Sequence, residues 1–351
     1  MLDKKNFYID GKWVSPIEPR NYKVIDPSKE EPCAEISLGG KKDVNKAVSA
    51  AKKAFESWAF TSKEERLELL EKLYVIYKKR WAEMAKLISL EMGAPINFST
   101  EMQAATGASH IKSFKKILKD FKFEKDLGEE KNNQKLLYEP KGVCALITPW
   151  NWPINQVNLK VMPALASACT VVLKPSEIAP LSSMLLAEMI DEAKFPAGVF
   201  NLVNGDGAVT GDALTSHSDI DMISFTGSTR AGILISQNAA KDFKRISLEL
   251  GGKGANIIFK DADPEAVARG VQRCFRNSGQ SCNAPTRMLV EKSIYNETVE
   301  KVKELANKTK VDSPEKEGDH IGPVVSEIQF NKIQTLIQKG IDEGAKLIAG
   351  G

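Results

Sequence analysis

Residues 143–174 read "VCALITPWNWPINQVNLKVMPALASACTVVLK" and contain the clearest signal of the fold class. The stretch begins and ends with short apolar runs, "VCALIT" and "TVVLK", which have the length and composition of buried strands. The segment between them, at about 153–168, is long enough for a helix, and Pro153 suits the first position of one. A strand, a crossover helix and a second strand predict one unit of a parallel α/β sheet.

The same alternation continues toward the C-terminus. Five further apolar runs are mostly bounded by Gly, Pro, Asn or Asp, and they read "VFNLV", "MISFT", "RISLEL", "ANIIF" and "TRMLVE". The segments between the runs are long enough for right-handed crossovers, and they lie at about 181–193, 207–216, 229–240 and 264–277. We therefore predict a parallel sheet whose ligands bind at the carboxyl ends of the strands.

The N-terminal third has a different pattern. Apolar residues recur at three- and four-residue spacing over 41–58, 62–92 and 99–120, which predicts amphipathic helices. A strand pair at "NFYIDGKW" and "YKVIDP" is expected before them. Residues 121–140 alternate apolar and charged side chains around a turn region, and this predicts a two-stranded ribbon that faces solvent or a partner subunit.

Composition and charge exclude several classes of protein. A chain of 351 residues predicts about two domains, and 49 Lys and Arg against 46 Asp and Glu form no basic block that would indicate nucleic acid. Neither a signal-peptide core nor a membrane-length apolar run occurs, so we expect a soluble, cytoplasmic protein without a membrane partner. Five scattered cysteines without a CxxC motif and three isolated histidines predict neither disulfides nor a metal site.

The first apolar run ends in polar and aromatic residues. Asn151 lies between Trp150 and Trp152, and its amide protons suit the stabilisation of an oxyanion. A simple turn with interfacial aromatic side chains explains the same three residues equally well.

Two other strand ends are candidate nucleotide contacts. Lys174, Ser176 and Glu177 follow "TVVL", and a lysine with a carboxylate three residues on can bind ribose hydroxyls, although a solvated loop pair is the commoner reason for such a pattern. Gly227 and Ser228 follow another apolar run and open a helix, so backbone N–H groups there would face a pyrophosphate.

The remaining candidates are a carboxylate and a thiol. Glu249 lies inside "RISLEL", where burying its charge is costly unless it is paired, so a general base is one reading and an exposed strand edge is the other. Cys282 lies in the small polar run "NSGQSCNAPTR", which suits a projecting nucleophile. The other four cysteines lie in apolar or helical contexts that predict inert packing thiols.

Five motifs, in order, resemble the NAD(P)-dependent aldehyde dehydrogenase superfamily: "TPWNWP", "LKPSE", "FTGSTRAG", "LELGGK" and "FRNSGQSCNAPTR". The likeness covers essentially the whole chain. By motif, the resemblance implies Cys282 as the nucleophile, Glu249 as the general base and Asn151 as the oxyanion donor. Lys160, nine residues beyond Asn151, matches a lysine that the family uses near the proton exit.

The resemblance also implies the reaction and its cofactor. The reaction is NAD(P)-dependent oxidation of a small-molecule aldehyde to a carboxylic acid through a cysteine thiohemiacetal and a thioester. A carboxylate at position 177 accepts hydrogen bonds from a ribose 2′-hydroxyl and repels a phosphate, so NAD is expected, with NADP possible if Lys174 faces the phosphate. The implied cofactor contacts are Trp150, Lys174, Ser176, Glu177, Gly227 and Ser228.

The implied fold class is α/β, with a Rossmann-like dinucleotide-binding domain from residues 1–120 and 141–250. A second α/β catalytic domain, incomplete here, covers 251–351, and 121–140 form a protruding β-ribbon that mediates homo-oligomers. The family continues beyond residue 351, so a fragment or a truncated relative is expected, with homo-oligomers if the C-terminal part is present.

Two alternatives remain open. One is a truncated, catalytically impaired nucleotide-binding relative, and the other is a cysteine acyltransferase or esterase without redox chemistry. No basic cluster in the sequence indicates an acidic aldehyde, and the sequence identifies no particular substrate.

Overall fold

A seven-stranded sheet forms the centre of the computed structural model, which describes residues 1–128 and 134–351. The strands are β1 (Leu2–Lys4), β2 (Phe7–Ile9), β3 (Lys12–Val14), β4 (Asn21–Asp26), β5 (Glu31–Ser37), β6 (Glu124–Asp126), β7 (Lys135–Leu137), β8 (Val143–Ile147), β9 (Thr170–Lys174), β10 (Phe200–Leu202), β11 (Met222–Gly227), β12 (Arg245–Leu250), β13 (Ala255–Ile258) and β14 (Arg287–Val290). The helices are α1 (Lys41–Trp58), α2 (Lys63–Lys79), α3 (Trp81–Met92), α4 (Ile96–Phe98), α5 (Ala104–Asp120), α6 (Pro153–Ala166), α7 (Leu181–Glu192), α8 (Asp212–Thr215), α9 (Thr229–Ala240), α10 (Ala266–Phe275), α11 (Tyr295–Lys308) and α12 (Glu327–Asp342).

The central sheet has the strand order β12-β11-β8-β9-β10-β2-β3. Its first five strands pair in parallel, which confirms the prediction of a parallel α/β sheet. Counted along the chain from β8, those five have the order 3-2-1-4-5, the order of a Rossmann sheet. The order reverses between β8 and β11, and a crevice therefore opens at the carboxyl ends of these two strands.

The inner strands β8, β9 and β10 are buried along their whole length, as strands covered by helices on both faces must be. In β8, Cys144 and Leu146 belong to one core cluster, with residues of α2, α3, α5, α6 and α7. Val143, Ala145 and Ile147 alternate with them and belong to a second cluster, with residues of α1 and α9. The period-2 geometry of a strand therefore divides one continuous apolar run between two cores.

The predicted N-terminal strand pairing is wrong. Strand β4, in "YKVIDP", pairs with β5 in a separate three-stranded sheet of order β1-β5-β4. The segment "NFYIDGKW" folds back on itself as the β2–β3 hairpin, and β2 joins the central sheet beside β10. Asp10 and Gly11 form the turn with φ of 54° and 71°, and an Asp-Gly pair of this kind is the sequence signal that should have indicated a hairpin.

In the N-terminal third, the helix predictions agree with the structure except at two boundaries, and the crossover expected at 207–216 is a π-helical turn, Gly207–Gly211, followed by α8. The expected helix at 41–58 has those limits, whereas 62–92 is two helices that meet at Arg80. The segment predicted at 99–120 begins as a π-helical turn, Ser99–Gln103, before α5. Among the described residues, no helix combines the length and apolar character that crossing a bilayer requires.

The predicted ribbon is present as an antiparallel pair of β6 and β7. Of its turn, residues 129–133 lie outside the described residues. Beyond β12, the strands β13 and β14 form a separate parallel pair, and the adjacent helices α10 and α11 pack against each other. The chain thus leaves the central sheet after Leu250, while the proposed domain limits remain a prediction.

A buried carboxylate at the N-terminus of α7 predicts a pH-dependent stability. Glu91 is fully buried in α3 and accepts hydrogen bonds from the backbone N–H groups of Leu181 and, at 3.1 Å, Ser182. Burial raises the pKa of Glu91 to about 7, against the lowering effect of these hydrogen bonds. The folded protein therefore holds this proton more tightly than the unfolded chain, and stability should fall as pH rises from about 4.5 to 7, by on the order of 2 kcal/mol.

Chemical denaturation at pH 5 and pH 8 measures this effect. Glu91→Gln cannot ionise, so its stability should change less between the two pH values than that of the wild type. An unaltered pH dependence in Glu91→Gln would contradict the assignment.

Candidate active site

The loop that carries Cys282 begins with three consecutive residues in the left-handed region. Asn277, Ser278 and Gly279 have φ of 57°, 56° and 73°, and Arg276 separates them from the end of α10. Such a conformation is costly for residues other than glycine and persists only where surrounding contacts hold it. The resulting reversal leaves Cys282 exposed at the surface instead of within a core, as its small polar context predicted.

Hydrogen bonds from buried amides hold this loop against the carboxyl end of β8. The buried Asn277 donates from Nδ2 to the carbonyl of Asn151 at 2.8 Å and to that of Gln280 at 3.3 Å. Gln103, also buried, donates from Nε2 to Asn277 Oδ1 at 3.3 Å and to the Asn151 carbonyl at 3.2 Å. These contacts bring the cysteine loop and the "TPWNWP" segment together across more than a hundred residues of sequence.

The side chains that follow β8 make further contacts with the same loop. Asn151 donates from Nδ2 to the Gln280 carbonyl at 2.9 Å, and Trp152 donates from Nε1 to Ser281 Oγ at 2.8 Å. An asparagine amide nitrogen has two protons, so one remains for a second acceptor. The Asn151 amide therefore binds the backbone carbonyl two residues before Cys282 and keeps one proton for a second acceptor.

Glu249 lies in the outermost strand of the central sheet. Strand β12 pairs only with β11 within that sheet, and the Glu249 side chain is exposed. Of the two readings, the buried carboxylate is thus wrong, because the face of β12 that carries Arg245, Ser247 and Glu249 is exposed while the alternate residues of the strand pack against the core. Exposure leaves the carboxylate open to water, which suits a base that activates a water molecule.

Lys160 approaches the same region from α6. It is 7% exposed and donates from Nζ to Ser224 Oγ at 2.9 Å. Burial lowers the pKa of Lys160 to about 8, while the negative charge of Glu249 opposes the shift. The structure therefore brings these two sequence-predicted residues within electrostatic reach of each other across β11.

Lys174 is buried at the carboxyl end of β9. Its burial excludes the interpretation of Lys174 and Glu177 as a solvated ion pair in a loop. Its Nζ donates to the carbonyl of Pro175 at 3.0 Å and to that of Gly205, and lies 3.6 Å from Glu177 Oε2. Burial lowers the pKa of Lys174, and Glu177 opposes the shift. The Ser176 hydroxyl accepts from the backbone N–H of Ile178 at 3.3 Å, so it stabilises the turn between them.

The segment after β11 opens helix α9. Gly227 is the last residue of the strand, and Ser228 caps the helix by accepting from the Ala231 N–H at 3.3 Å. Because the cap uses the Ser228 hydroxyl as an acceptor, the free backbone N–H groups of the first turn remain the donors for an anion. Trp150 is half-buried and packs against the larger core cluster.

The polar residues at these strand ends fit a dinucleotide. The carboxyl ends of β11, β8 and β9 are neighbours in the sheet, on either side of the point where the strand order reverses. Thr148 Oγ1 and Thr226 Oγ1 lie at two of these ends and have no hydrogen-bond partner within the described residues. Unpaired buried hydroxyls, an open helix N-terminus and a ribose-type carboxylate are the groups that such a ligand uses.

The other cysteines are buried or half-buried. Burial raises the pKa of Cys33 to about 11 and also raises that of Cys274, in agreement with packing thiols. Cys169 differs, because the pKa of its thiol is lowered to about 6. The largest cause is a hydrogen bond with Cys144, and hydrogen bonds from Ser167 and two backbone N–H groups add to it against the raising effect of burial. The apolar context did not predict this polar surrounding, although Cys169 is only 4% exposed.

Asn277→Ala is expected to destabilise the protein by about 2–4 kcal/mol, because alanine disfavours a φ of 57° and cannot bind the Asn151 carbonyl. Asn277→Gly tolerates the φ and loses the same hydrogen bonds, so it should lie between alanine and the wild type. Denaturant unfolding measures the stability of both variants, and the alkylation rate of Cys282 measures whether the loop keeps its conformation. Unfolding of Asn277→Ala at the wild-type denaturant concentration would contradict the role of Asn277.

The parallel sheet has the strand order of a Rossmann fold, and polar residues lie at the strand ends beside its crevice. Together with the exposed cysteine loop bound next to them, these features define an α/β protein of the nucleotide-binding class. The sequence model of the aldehyde dehydrogenase family matches residues 13–351. The chain belongs to the aldehyde dehydrogenase family.

Three relatives illustrate the similarity. The 3-succinoylsemialdehyde-pyridine dehydrogenase of a Pseudomonas species is 50% identical over 353 residues, covering 100% of this chain and 73% of the relative. The crystal structure of an aldehyde dehydrogenase from Bartonella henselae is 60% identical with a TM-score of 0.99, covering 100% of this chain and 74% of that one. Aldehyde dehydrogenase C from Pseudomonas syringae, solved as a mutant with NAD+ and octanal, is 45% identical with a TM-score of 0.96, covering 99% and 71%.

Proposed function

We propose that this protein oxidises an aldehyde to a carboxylic acid with NAD, using Cys282 as the nucleophile. Family membership supports the overall activity. One observation carries the cysteine mechanism: the Asn151 amide donates to the Gln280 carbonyl at 2.9 Å. Gln280 precedes the exposed Cys282 by two residues, and Asn151 follows β8 at the nucleotide crevice. An oxyanion donor and a thiol in this arrangement suit addition to a carbonyl carbon.

In the first step the Cys282 thiol loses its proton to water, and the thiolate adds to the aldehyde carbon while the C=O π electrons move onto the oxygen. The free Asn151 Nδ2 proton and the Cys282 backbone N–H would stabilise the oxyanion, and such donors contribute roughly 3–4 kcal/mol each. Bound NAD would supply the acceptor for the hydride that leaves this carbon. A thioester on Cys282 remains, and water activated by Glu249 cleaves it to the acid.

The residues at the carboxyl end of β9 support NAD as the cofactor. Glu177 is partly exposed and accompanied by the buried Lys174, so its carboxylate can accept a hydrogen bond from a ribose 2′-hydroxyl. Ser176, in the turn between them, would line the ribose site, and Trp150 would line the cleft. Gly227 and Ser228 would supply backbone N–H groups to the pyrophosphate.

The test is an aldehyde panel with NAD and with NADP, followed by the absorbance of reduced cofactor. Reduction with NAD supports the proposal, and faster reduction with NADP would overturn the cofactor assignment. A flat trace with normal NAD affinity would favour a binding module. Cofactor-independent hydrolysis of an activated ester, without aldehyde oxidation, would favour an esterase.

The ribbon of β6 and β7 supports a further part of the proposal. Its described strand residues are exposed, including Leu136 and Leu137 at 41% and 58%, and apolar side chains on a two-stranded ribbon suit contact with another subunit. We propose that 121–140 mediate a homo-oligomer, that 1–120 and 141–250 bind the cofactor, and that 251–351 contribute the catalytic cysteine. Sedimentation of the protein at several concentrations tests the oligomer.

Lys160 should give the pH profile of the oxidation rate a rising limb. Burial lowers the pKa of Lys160 to about 8, so the amine is largely neutral only above that pH. If it accepts the proton released at the site, the rate of aldehyde oxidation should rise with pH up to about 8. Lys160→Met, of similar length and without a titrating group, should lose this limb. A profile identical to that of the wild type would contradict the role.

A further inference from the structure

Two buried thiols, those of Cys144 and Cys169, meet at the amino ends of β8 and β9. Cys144 is the second residue of β8 and pairs with Val171 of β9, two residues beyond Cys169. Cys144 is 3% exposed and Cys169 is 4% exposed, both belong to the same core cluster, and their thiols are hydrogen-bonded to each other. The loop of Cys282 is bound at the carboxyl end of β8, so the pair lies at the opposite edge of the sheet.

Polar donors surround the Cys169 sulfur, although its neighbours in sequence are mostly apolar. The backbone N–H of Lys141 donates to Cys169 Sγ at 3.3 Å, and the Ser167 hydroxyl donates to it at 3.5 Å. The backbone N–H of Gly142 and the Cys144 thiol donate as well. These donors stabilise a thiolate, so they lower the pKa of Cys169, while the pKa of Cys144, which keeps its proton, is raised.

A buried guanidinium lies within electrostatic reach of this thiolate. Arg66 in α2 is 5% exposed, and burial lowers its pKa, while the negative charges of Glu64, Glu65 and Cys169 oppose the shift. Its Nη1 donates to the Thr61 carbonyl at 2.6 Å, whereas Nε has no hydrogen-bond partner among residues 1–128 and 134–351. A buried cation with an unpaired donor is costly unless a negative charge lies close to it, and the thiolate supplies one.

The backbone before β9 holds Cys169 in this place. Ala168 has a φ of 61°, a left-handed conformation that alanine adopts only where surrounding contacts hold it. Those contacts are the Cys169 N–H, which donates to the Ala164 carbonyl at 2.9 Å, and the Trp58 indole N–H, which donates to the Cys169 carbonyl at 3.1 Å. The sulfur is therefore fixed among its donors and against Cys144.

We propose that Cys144 and Cys169 are a second reactive site, a dithiol that reduces hydroperoxides and closes to a disulfide, with Arg66 stabilising the Cys169 thiolate. The inference is independent of the proposed function, because it uses neither Cys282 nor the cofactor. Burial limits the oxidant by size. Hydrogen peroxide is little larger than water and reaches the sulfur beside the exposed Lys141 and the half-buried Ser167, whereas a bulky disulfide does not.

The reaction has two steps. The Cys169 thiolate attacks one peroxide oxygen, the O–O bond breaks, and the leaving oxygen takes up the proton that Cys169 had released to water, which leaves a sulfenic acid. The Cys144 sulfur then attacks the sulfur of that acid, an S–S bond forms, and the oxygen leaves as water with the Cys144 proton. Two thiols lose two electrons, and one hydrogen peroxide gains them and becomes two waters.

Peptide mapping after treatment with hydrogen peroxide tests the site. Cys282→Ala is the protein to use, because it removes the exposed thiol that would also react. We expect peptides joined by a bond between Cys144 and Cys169, formed at least about tenfold faster than oxidation of Cys33 or Cys274, whose pKa values burial raises. Without joined peptides, or with joined peptides formed no faster than in the same protein unfolded in urea, the proposal fails.

Serine variants of the two thiols, in the same background, test their roles. Cys144→Ser should stop at a sulfenic acid on Cys169 that dimedone traps, and Cys169→Ser should leave Cys144 reduced. Dimedone labelling of Cys144 in Cys169→Ser, as fast as that of Cys169 in Cys144→Ser, would overturn the assignment. Circular dichroism checks the fold of both variants, and if either fails to fold, the joined peptides in Cys282→Ala decide the proposal.

The contribution of Arg66 is measured by the rate of disulfide formation. Arg66→Met should slow it by at least about fivefold, and Arg66→Lys should retain most of the rate because it keeps the charge. Arg80→Met is the matched control, since it removes a guanidinium at the other end of α2, where Arg80 pairs with Glu83 and Glu188. Equal rates in Arg66→Met and Arg80→Met would overturn the role of Arg66.

Discussion

Replacement of Cys282 by alanine should reduce aldehyde oxidation by at least about a thousandfold, the largest effect expected of any single change in this protein. Without the sulfur there is no covalent adduct, so neither the thiohemiacetal nor the thioester can form. The side chain is exposed, so the variant should fold as the wild type does. NAD affinity, measured by the quenching of tryptophan fluorescence, should be unchanged.

Cys274→Ala is the appropriate control for this variant. Cys274 lies eight residues earlier in α10, is half-buried, and has a pKa that burial raises. It should alter stability slightly and retain the wild-type oxidation rate. Aldehyde oxidation by Cys282→Ala at a tenth of the wild-type rate or more would remove Cys282 from the mechanism.

The second large effect is expected at Glu249. Glu249→Gln should slow turnover by about 10²–10⁴-fold while leaving the first oxidation nearly intact, because the general base acts on the water that cleaves the thioester. Rapid mixing should then show a burst of one reduced cofactor per subunit, followed by slow release of acid. Mass spectrometry of the quenched burst should find the acyl group on Cys282.

The control for Glu249→Gln is a variant that removes the same charge at another position. Glu297 lies in α11 with an exposed side chain, so Glu297→Gln removes one carboxylate from an element outside the central sheet. It should turn over like the wild type and show no burst. If Glu249→Gln also shows no burst and loses the first oxidation equally, the carboxylate acts before the thioester and the assigned order is wrong.

Local patterns predicted most of the elements. The helix at 41–58 and the strand "RISLEL" have the expected limits, because apolar spacing and short polar boundaries are properties of adjacent residues. The pairing partner of each strand was harder to predict, as the strand in "YKVIDP" illustrates. A strand's sequence specifies its two faces but not its neighbour, and the Asp10–Gly11 turn was the only local signal for the hairpin.

The candidate site was visible in the sequence as separate motifs. Cys282 and Asn151 stood out through polar context and position after a strand, and the five-motif resemblance connected them. The groups that hold them together were missed. Gln103 lies in a helix-rich segment with no unusual local pattern, and Asn277 has a left-handed φ, shared with Ser278 and Gly279, that the sequence does not display.

The amino-acid sequence by itself determined the alternation of strands and helices, the family and the chemical types at the site, since these depend on residue spacing and identity. Only the tertiary structure decided that Glu249 lies on an exposed edge strand, that Lys174 is buried beside Glu177, and that Cys144 and Cys169 meet at the amino ends of their strands. Exposure, pairing of charges and hydrogen bonds between side chains depend on which distant segments become neighbours. Those neighbours are set by the packing of the whole chain, so a local pattern carries no record of them.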